Sequence, residues 1–204
     1  MKNESFIREY MIPKSVCDAV ISYYDDGEKY TGEFLQDPNI PYPEPTKRST
    51  EVCIHPDSLK DKRVNLYMKA LEKCVQLYLQ DFDALAPPEA YPLIITEPYN
   101  IQRYEAGEGY YDWHTEFAPF PPYNERCLVF MTYLNDVPNA GTHFKYFDLT
   151  TKAEKGSTII WPAYWTHFHR GQISQEHQKT IVTGWISMLC KDRYLEATKN
   201  NATI

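Results

Sequence analysis

The chain has 204 residues, enough for one domain that buries a sizeable core without disulfides. Its formal net charge of −7 and the lack of any Lys/Arg cluster argue against a nucleic-acid partner, which needs a basic footprint. Cys17, Cys53, Cys74, Cys127 and Cys190 are far apart, with no C-x-x-C pair, and no apolar run suits a signal peptide or a membrane span. A soluble, cytoplasmic protein with reduced thiols is therefore expected.

In chain order, "FIREYMI" reads as an opening strand. Pro13 then starts a helix through "KSVCDAVISYYDD", with Val16, Ala19, Val20 and Tyr23 on one face and Gly27 closing it. "DPNIPYPEPT" is too rich in proline for helix or central strand and is expected to be an extended loop. "TEVCIH" suits a strand. A long helix is predicted over Asp61–Phe82, where Tyr67, Ala70, Leu71, Cys74, Val75, Tyr78 and Phe82 follow one buried stripe until "APPEAYP" stops it. Beyond that point "LIITEPYNIQRY", "CLVFMTYL", "THFKYFDLT", "STIIWPA", "WTHFHRG" and "KTIVTGWISML" are β-branched or aromatic runs between turn residues. The tail "ATKNNATI" is polar and expected to fray. No repeat or interdomain linker is evident. Two helices followed by six or more short strands suggest an α+β domain, an antiparallel sandwich or barrel buttressed by helices.

The chemistry centres on "YEAGEGYYDWHTEF", Tyr104–Phe117. Side chains at i and i+2 of a strand share a face, so His114 and Glu116 would converge on one point. "WTHFHRG" supplies His167 and His169 some fifty residues downstream, again sharing a face if that run is a strand. Two imidazoles and one carboxylate leave half a coordination sphere open, as non-haem Fe(II) oxygenases require, whereas a structural zinc site closes all four positions. Lys179 lies ten residues after His169, on the next strand of an expected hairpin, where a buried ammonium would need an anionic partner.

These runs resemble the Fe(II)/2-oxoglutarate-dependent dioxygenases of the prolyl 4-hydroxylase-like family over most of the chain. Tyr104, Gly107, Tyr110 and His114 hold the places of that family's Tyr, glycine turn, Tyr and His-x-Asp, with Glu116 where Asp is usual. "TYLNDVPNAGTHF" is similar to the family's Tyr-Leu-Asn strand and its Gly-Gly-x-Thr-x-Phe turn, with Ala140-Gly141 in place of Gly-Gly. "KGSTIIWPA" resembles the Lys-Gly-led apolar strand, and "HRGQISQEHQKTIVTGW" the closing hairpin. The spacing from Pro162 favours His167 as distal ligand, while the spacing back from Lys179 and Trp185 favours His169, which is the choice made here.

The resemblance implies a double-stranded β-helix (jelly-roll, cupin-like) core at about 91–192, supported by an N-terminal helical and loop part at about 1–90, in a single domain 1–204. It implies Fe(II) held by His114, Glu116 and His169, with no catalytic residue beyond these ligands. It implies 2-oxoglutarate as cosubstrate, its remote carboxylate on Lys179 and Tyr104, with Thr183 and Trp185 further along the same pocket, and ascorbate as an optional extra. Arg103 and Arg126 are the fallback anchors. The implied reaction is hydroxylation of a peptidyl proline coupled to decarboxylation of 2-oxoglutarate to succinate. A free amino acid or other small molecule is the alternative substrate, and a non-enzymatic jelly-roll binding module the alternative class. The Pro/Tyr-rich runs "FAPFPPY" and "DPNIPYPEPT" are expected to overhang the mouth. The oligomeric state is left open, with a monomer the simplest case.

Overall fold

The structure is a computed structural model and describes residues 4–32, 46–85 and 93–199. Residues 37–45 of the proline-rich loop, the "APPEAYP" stop and the last residues of the tail lie outside that range. The chain runs β1 (Arg8–Met11), α1 (Lys14–Asp26), β2 (Tyr30–Thr31), β3 (Thr50–Ile54), α2 (Lys62–Asp81), β4 (Leu93–Ile94) and β5 (Tyr99–Tyr104). It continues with β6 (Arg126–Tyr133), β7 (Thr142–Phe144), β8 (Leu149–Thr150), β9 (Ser157–Pro162), β10 (His169–Gly171), β11 (Lys179–Met188) and α3 (Lys191–Lys199).

Two antiparallel sheets face each other. The major sheet is ordered β1-β9-β6-β11-β5-β3-β2, with β4 on the end of β11, and the minor sheet is β10-β7-β8. Alternation along the central strands divides their side chains between two cores. Leu128, Phe130, Ile160, Val182 and Ile186 pack against the helices, together with Tyr67, Leu71, Val75 and Tyr78 of α2 and Val16, Cys17, Val20 and Tyr24 of α1. Val129, Met131, Tyr133, Ile159, Trp161 and Ile181 point the other way, toward Phe144 of the minor sheet. Burial on both faces is why these strands read as unbroken apolar runs: all eight residues of β6 are buried.

The helices start where the sequence places them. Pro13 immediately precedes α1, and Asp61 caps α2 by accepting the Arg63 backbone N–H at 2.8 Å. The expected α+β class, with helices on one sheet, is what the chain builds. Among the described residues no helix is long and apolar enough to cross a membrane.

Four expectations need correction. The buried face of α1 is Val16, Cys17, Val20 and Tyr24, one helical stripe at i, i+1, i+4 and i+8, so Ala19 and Tyr23 at its edge are only partly covered. "THFKYFDLT" is two short strands paired across a turn, His143 opposite Thr150. β10 and β11 are not a hairpin: β10 pairs with β7 in the minor sheet, while β11 lies between β6 and β5 in the major one. The first three residues of the tail, Ala197–Lys199, end α3 (Lys191–Lys199), and the rest of it lies outside the described residues.

Gly184 of β11 sits directly opposite Phe130 on the helix-facing side, where Tyr99 and Phe130 meet edge to face at 5.4 Å. A Cβ there would fall 2.5 Å from the Phe130 ring and 2.6 Å from the Tyr99 Cβ. Gly184→Ala is expected to destabilise by about 1–3 kcal/mol through overpacking, read as a lower melting temperature by circular dichroism. An unchanged melting temperature would mean the two rings have room to part.

Candidate active site

The segment after β5 contains no long strand, yet it is held on both sides. Gly107 makes its turn at φ 87°, a conformation only glycine adopts without strain. Tyr110 forms an isolated antiparallel bridge with Lys47, and His114 another with His169 at the start of β10. In the second bridge each backbone N–H donates to the other residue's carbonyl at 3.0 Å. Two residues on, the backbone N–H groups of Glu116 and Phe117 and the Thr115 hydroxyl all donate to the Ala163 carbonyl, just past β9. The i, i+2 convergence predicted for His114 and Glu116 thus arises, but from a single bridge rather than a strand.

The result is a compact triad. Ligand-type atoms of His114, Glu116 and His169 all lie within 4.8 Å of one another, an arrangement that can hold a metal ion. Glu116 Oε1 stands 3.4 Å from His114 Nε2 and 3.5 Å from His169 Nε2. Both imidazoles are turned the same way: each Nδ1 lies against the carbonyl two residues before it, Asp112 at 3.0 Å and His167 at 2.8 Å. Those carbonyls can only accept, so Nδ1 carries a proton and Nε2 is the ring atom turned to the cluster. Nε2 donates to Glu116 when protonated and offers its lone pair once a metal displaces that proton. Tyr110 stacks on the His114 ring at 3.7 Å. Burial works to raise the Glu116 carboxyl, but hydrogen bonds and charge from the two histidines outweigh it and hold the group well below the usual carboxylate range. Burial, with His114 alongside, pushes the His169 imidazole down. A carboxylate with neutral imidazoles is the protonation state that binds metal.

The triad opens into a cavity of about 510 Å³, within the range of small-molecule sites. On β11, Lys179, Ile181, Thr183 and Trp185 alternate along the strand and all line it. Lys179 is 6% exposed and donates to the Ala140 and Gln172 carbonyls at 3.0 and 2.9 Å. Among the described residues no carboxylate pairs with it, and burial pushes its ammonium down to about 8. An ammonium has three donors, so one remains for a ligand. Gly171 lies two residues beyond His169 on β10, and a Cβ there would be 3.6 Å from Lys179 Nζ, so no side chain stands between metal triad and lysine along that strand.

The other predicted residues have mixed fates. His167 is in a short 3-10 turn, not on the β10 face, with Nε2 on the Ser5 carbonyl at 2.8 Å and Nδ1 on the Thr166 hydroxyl at 2.9 Å. Tyr104 lies directly opposite Lys179 in the β5–β11 register and lines the cavity, but its hydroxyl donates to Gln102 Oε1 at 2.6 Å. Thr183 lines the cavity and donates to the Phe130 carbonyl at 3.3 Å. Trp185 lines it too, with its indole N–H on Glu116 Oε2 at 2.9 Å. Arg103 faces away, pairing with Asp25 at 3.2 Å. Residues Phe117, Ala118, Phe120 and Tyr123 of "FAPFPPY" form part of the wall. Sequence reasoning missed Thr142, Tyr133 and Glu51 as lining residues. For Thr142 and Tyr133 the alternation of β6 and β7 was a usable signal, whereas Glu51 depended on the unforeseen β3–β5 pairing.

A family model described as the 2OG-Fe(II) oxygenase superfamily matches residues 99–187, which span β5 to β11 and contain the whole triad and Lys179. Residues 99–187 are thus similar to a 2OG-Fe(II) oxygenase domain. Similar solved structures share its fold over nearly the full chain. One is a viral collagen prolyl hydroxylase from Paramecium Bursaria Chlorella virus-1, in complex with 2OG: 17% identical, covering 92% of this chain and 98% of that one, TM-score 0.66. Another is a Pseudomonas putida prolyl-4-hydroxylase, 12% identical, with 91% and 94% covered and a TM-score of 0.63. A third is a Trichoplax adhaerens prolyl hydroxylase in complex with a hypoxia inducible factor peptide fragment, 15% identical, with 95% and 88% covered and a TM-score of 0.67. A comparison with curated protein sequences finds no match. That superfamily's description names Fe(II) and 2-oxoglutarate, and His114, Glu116 and His169 could hold the metal.

The positions of the two candidate distal ligands make a clean test. His169→Ala should lose Fe(II), measured as metal content after anaerobic loading. His167→Ala should keep its metal and instead melt earlier, because its ring ties the turn to Ser5. Equal metal loss in both variants would remove the distinction.

Proposed function

We propose that this oxygenase hydroxylates a peptidyl proline, with His114, Glu116 and His169 as iron ligands and Lys179 as the anchor for the remote carboxylate of 2-oxoglutarate. The observation that carries the reading is one cavity containing both an open His/Glu/His triad and a buried ammonium without an acidic partner among the described residues. The donor set suits Fe(II): two imidazole nitrogens and one carboxylate oxygen converge, with the remaining directions facing the cavity. When bound, Fe(II) with 2-oxoglutarate and dioxygen supplies the oxidation of a C–H bond, and 2-oxoglutarate leaves as succinate and carbon dioxide.

The chain's own contribution is placement. The Asp112 and His167 carbonyls aim the two imidazoles, and the Ala163 carbonyl fixes the backbone around Glu116. Lys179 keeps two N–H bonds to carbonyls and turns its third toward the incoming carboxylate. The ring of Tyr104, opposite Lys179, walls that end of the cavity, and its hydroxyl reaches the carboxylate only by leaving Gln102. Phe117, Phe120 and Tyr123 of the cavity wall supply aromatic surface suited to a pyrrolidine ring. The relatives of like fold are named prolyl hydroxylases, one of them in complex with a peptide, which supports proline within a peptide as the substrate.

Anaerobic addition of Fe(II) and 2-oxoglutarate should produce a weak visible charge-transfer band. Proline-containing peptides should then gain one oxygen in mass, in step with succinate release. Oxygen gained only by free amino acids would reassign the substrate, and no band at all would leave a binding module.

Lys179→Ala should raise the KM for 2-oxoglutarate at least about a hundredfold, since stranding one member of a buried charge pair costs roughly 3–5 kcal/mol. Deprotonation predicts a pH limb as well. The free lysine loses its proton near pH 8, and a bound carboxylate raises that value, so affinity is full below pH 8. Above it, affinity falls by about tenfold per unit until the pKa of the complex is reached. A flat pH profile from 7 to 9, or an unchanged KM in Lys179→Ala, would place the anchor elsewhere.

A further inference from the structure

Glu116 is one methylene longer than the aspartate usual at its position, which adds a torsion and lets the carboxylate turn or chelate through both oxygens. Something has to hold it. Trp185 donates its indole N–H to Oε2 at 2.9 Å, leaving Oε1 as the oxygen that faces both histidine Nε2 atoms. The indole is itself fixed: the Arg126 guanidinium lies 3.5 Å over its ring, with the Tyr123 ring 4.4 Å from the same guanidinium. Arg126 forks onto Glu97 at 2.9 and 2.6 Å, and donates to the Glu116 backbone carbonyl at 3.1 Å. Its Nη1 comes within 3.6 Å of Glu116 Oε2. Glu97 neutralises the guanidinium, so this assembly orients the Glu116 carboxylate without cancelling the negative charge a metal needs.

We propose that Trp185 and Arg126 are positioning residues that fix Glu116 as a one-oxygen ligand, and that Trp185 is not primarily a wall of the cosubstrate pocket. The inference rests on the metal site proposed above. Trp185 and Glu116 lie far apart in the chain, and their hydrogen bond is visible only in the fold. The longer carboxylate and the indole donor form a matched pair: a shorter arm at 116 would have to give up either the metal or the indole.

The test is calorimetric titration of metal-free protein with Mn(II), which needs no turnover. Trp185→Phe keeps an aromatic ring under Arg126 but removes the N–H, and should weaken Mn(II) by about 10–100-fold, the usual cost of losing a partner that orients a ligand. Its KM for 2-oxoglutarate at saturating Fe(II) should stay at the parent value. Arg126→Gln, which frees the indole to turn while leaving its N–H, should lose less affinity in the same direction. In a Glu116→Asp background, Trp185→Phe should add little further loss, because the shorter arm no longer reaches the indole. Unchanged Mn(II) affinity with a raised 2-oxoglutarate KM would overturn the clamp alone and restore Trp185 as pocket wall. Fully additive losses in the double variant would also overturn it. A parent protein that takes up no Mn(II) would defeat the metal reading, and the clamp with it.

Discussion

The reciprocal hydrogen bonds between the backbones of His114 and His169 join an irregular loop to the first residue of the minor sheet. A two-bond bridge fixes direction as well as distance, so the two rings lie side by side, 4.3 Å apart between centroids. Everything else in the site is referred to that pair. Glu116 reaches it because Ala163 receives the next three donors along the loop, and Lys179 faces it because β11 runs down the opposite sheet. A loop of this length can take many shapes, and the bridge selects one in which three ligand-type atoms meet.

Placing the triad on one sheet and the ammonium on the other divides the labour. The minor sheet and its bridged loop supply the neutral and anionic donors, while the inner face of the major sheet supplies the cation and most of the wall. The second core, helices against the outer face of the major sheet, keeps β6 and β11 rigid from behind. Gly184 belongs to that arrangement: without a side chain there, the Tyr99 and Phe130 rings close over the middle of the strand. Rigid strands behind a pocket are what keep a buried charge from finding water or a chance partner.

Much of this was legible from residues alone. The helical stripes and central strands announce themselves by periodicity, and the His114/Glu116 pair by residue type and spacing, while His169 and Lys179 are singled out through the family resemblance. What could not be read is pairing between distant segments. "WTHFHRG" and "KTIVTGWISML" look like consecutive hairpin strands, yet they enter different sheets, because the intervening residues cross from one layer to the other. His167 and His169 are equivalent on a strand and inequivalent once a 3-10 turn intervenes. Trp185 counts equally well as a pocket residue or as a partner of Glu116, and only the contact distinguishes them. The Tyr104 hydroxyl is expected from the resemblance to share the remote carboxylate with Lys179, whereas in the structure it donates to Gln102, two residues before it on the same face of β5.

Lys179, without an acidic partner among the described residues, has a consequence for the protein's persistence. An ammonium buried on two neutral carbonyls costs folding free energy that a carboxylate would return. A ligand that binds only the folded form adds stability by RT ln(1 + [L]/Kd), about 2.7 kcal/mol at a hundred times its dissociation constant. Resistance to heat and proteolysis would then follow the local supply of a dicarboxylate. With Lys179 as the proposed anchor, the protein's lifetime would be coupled to the metabolic state around it.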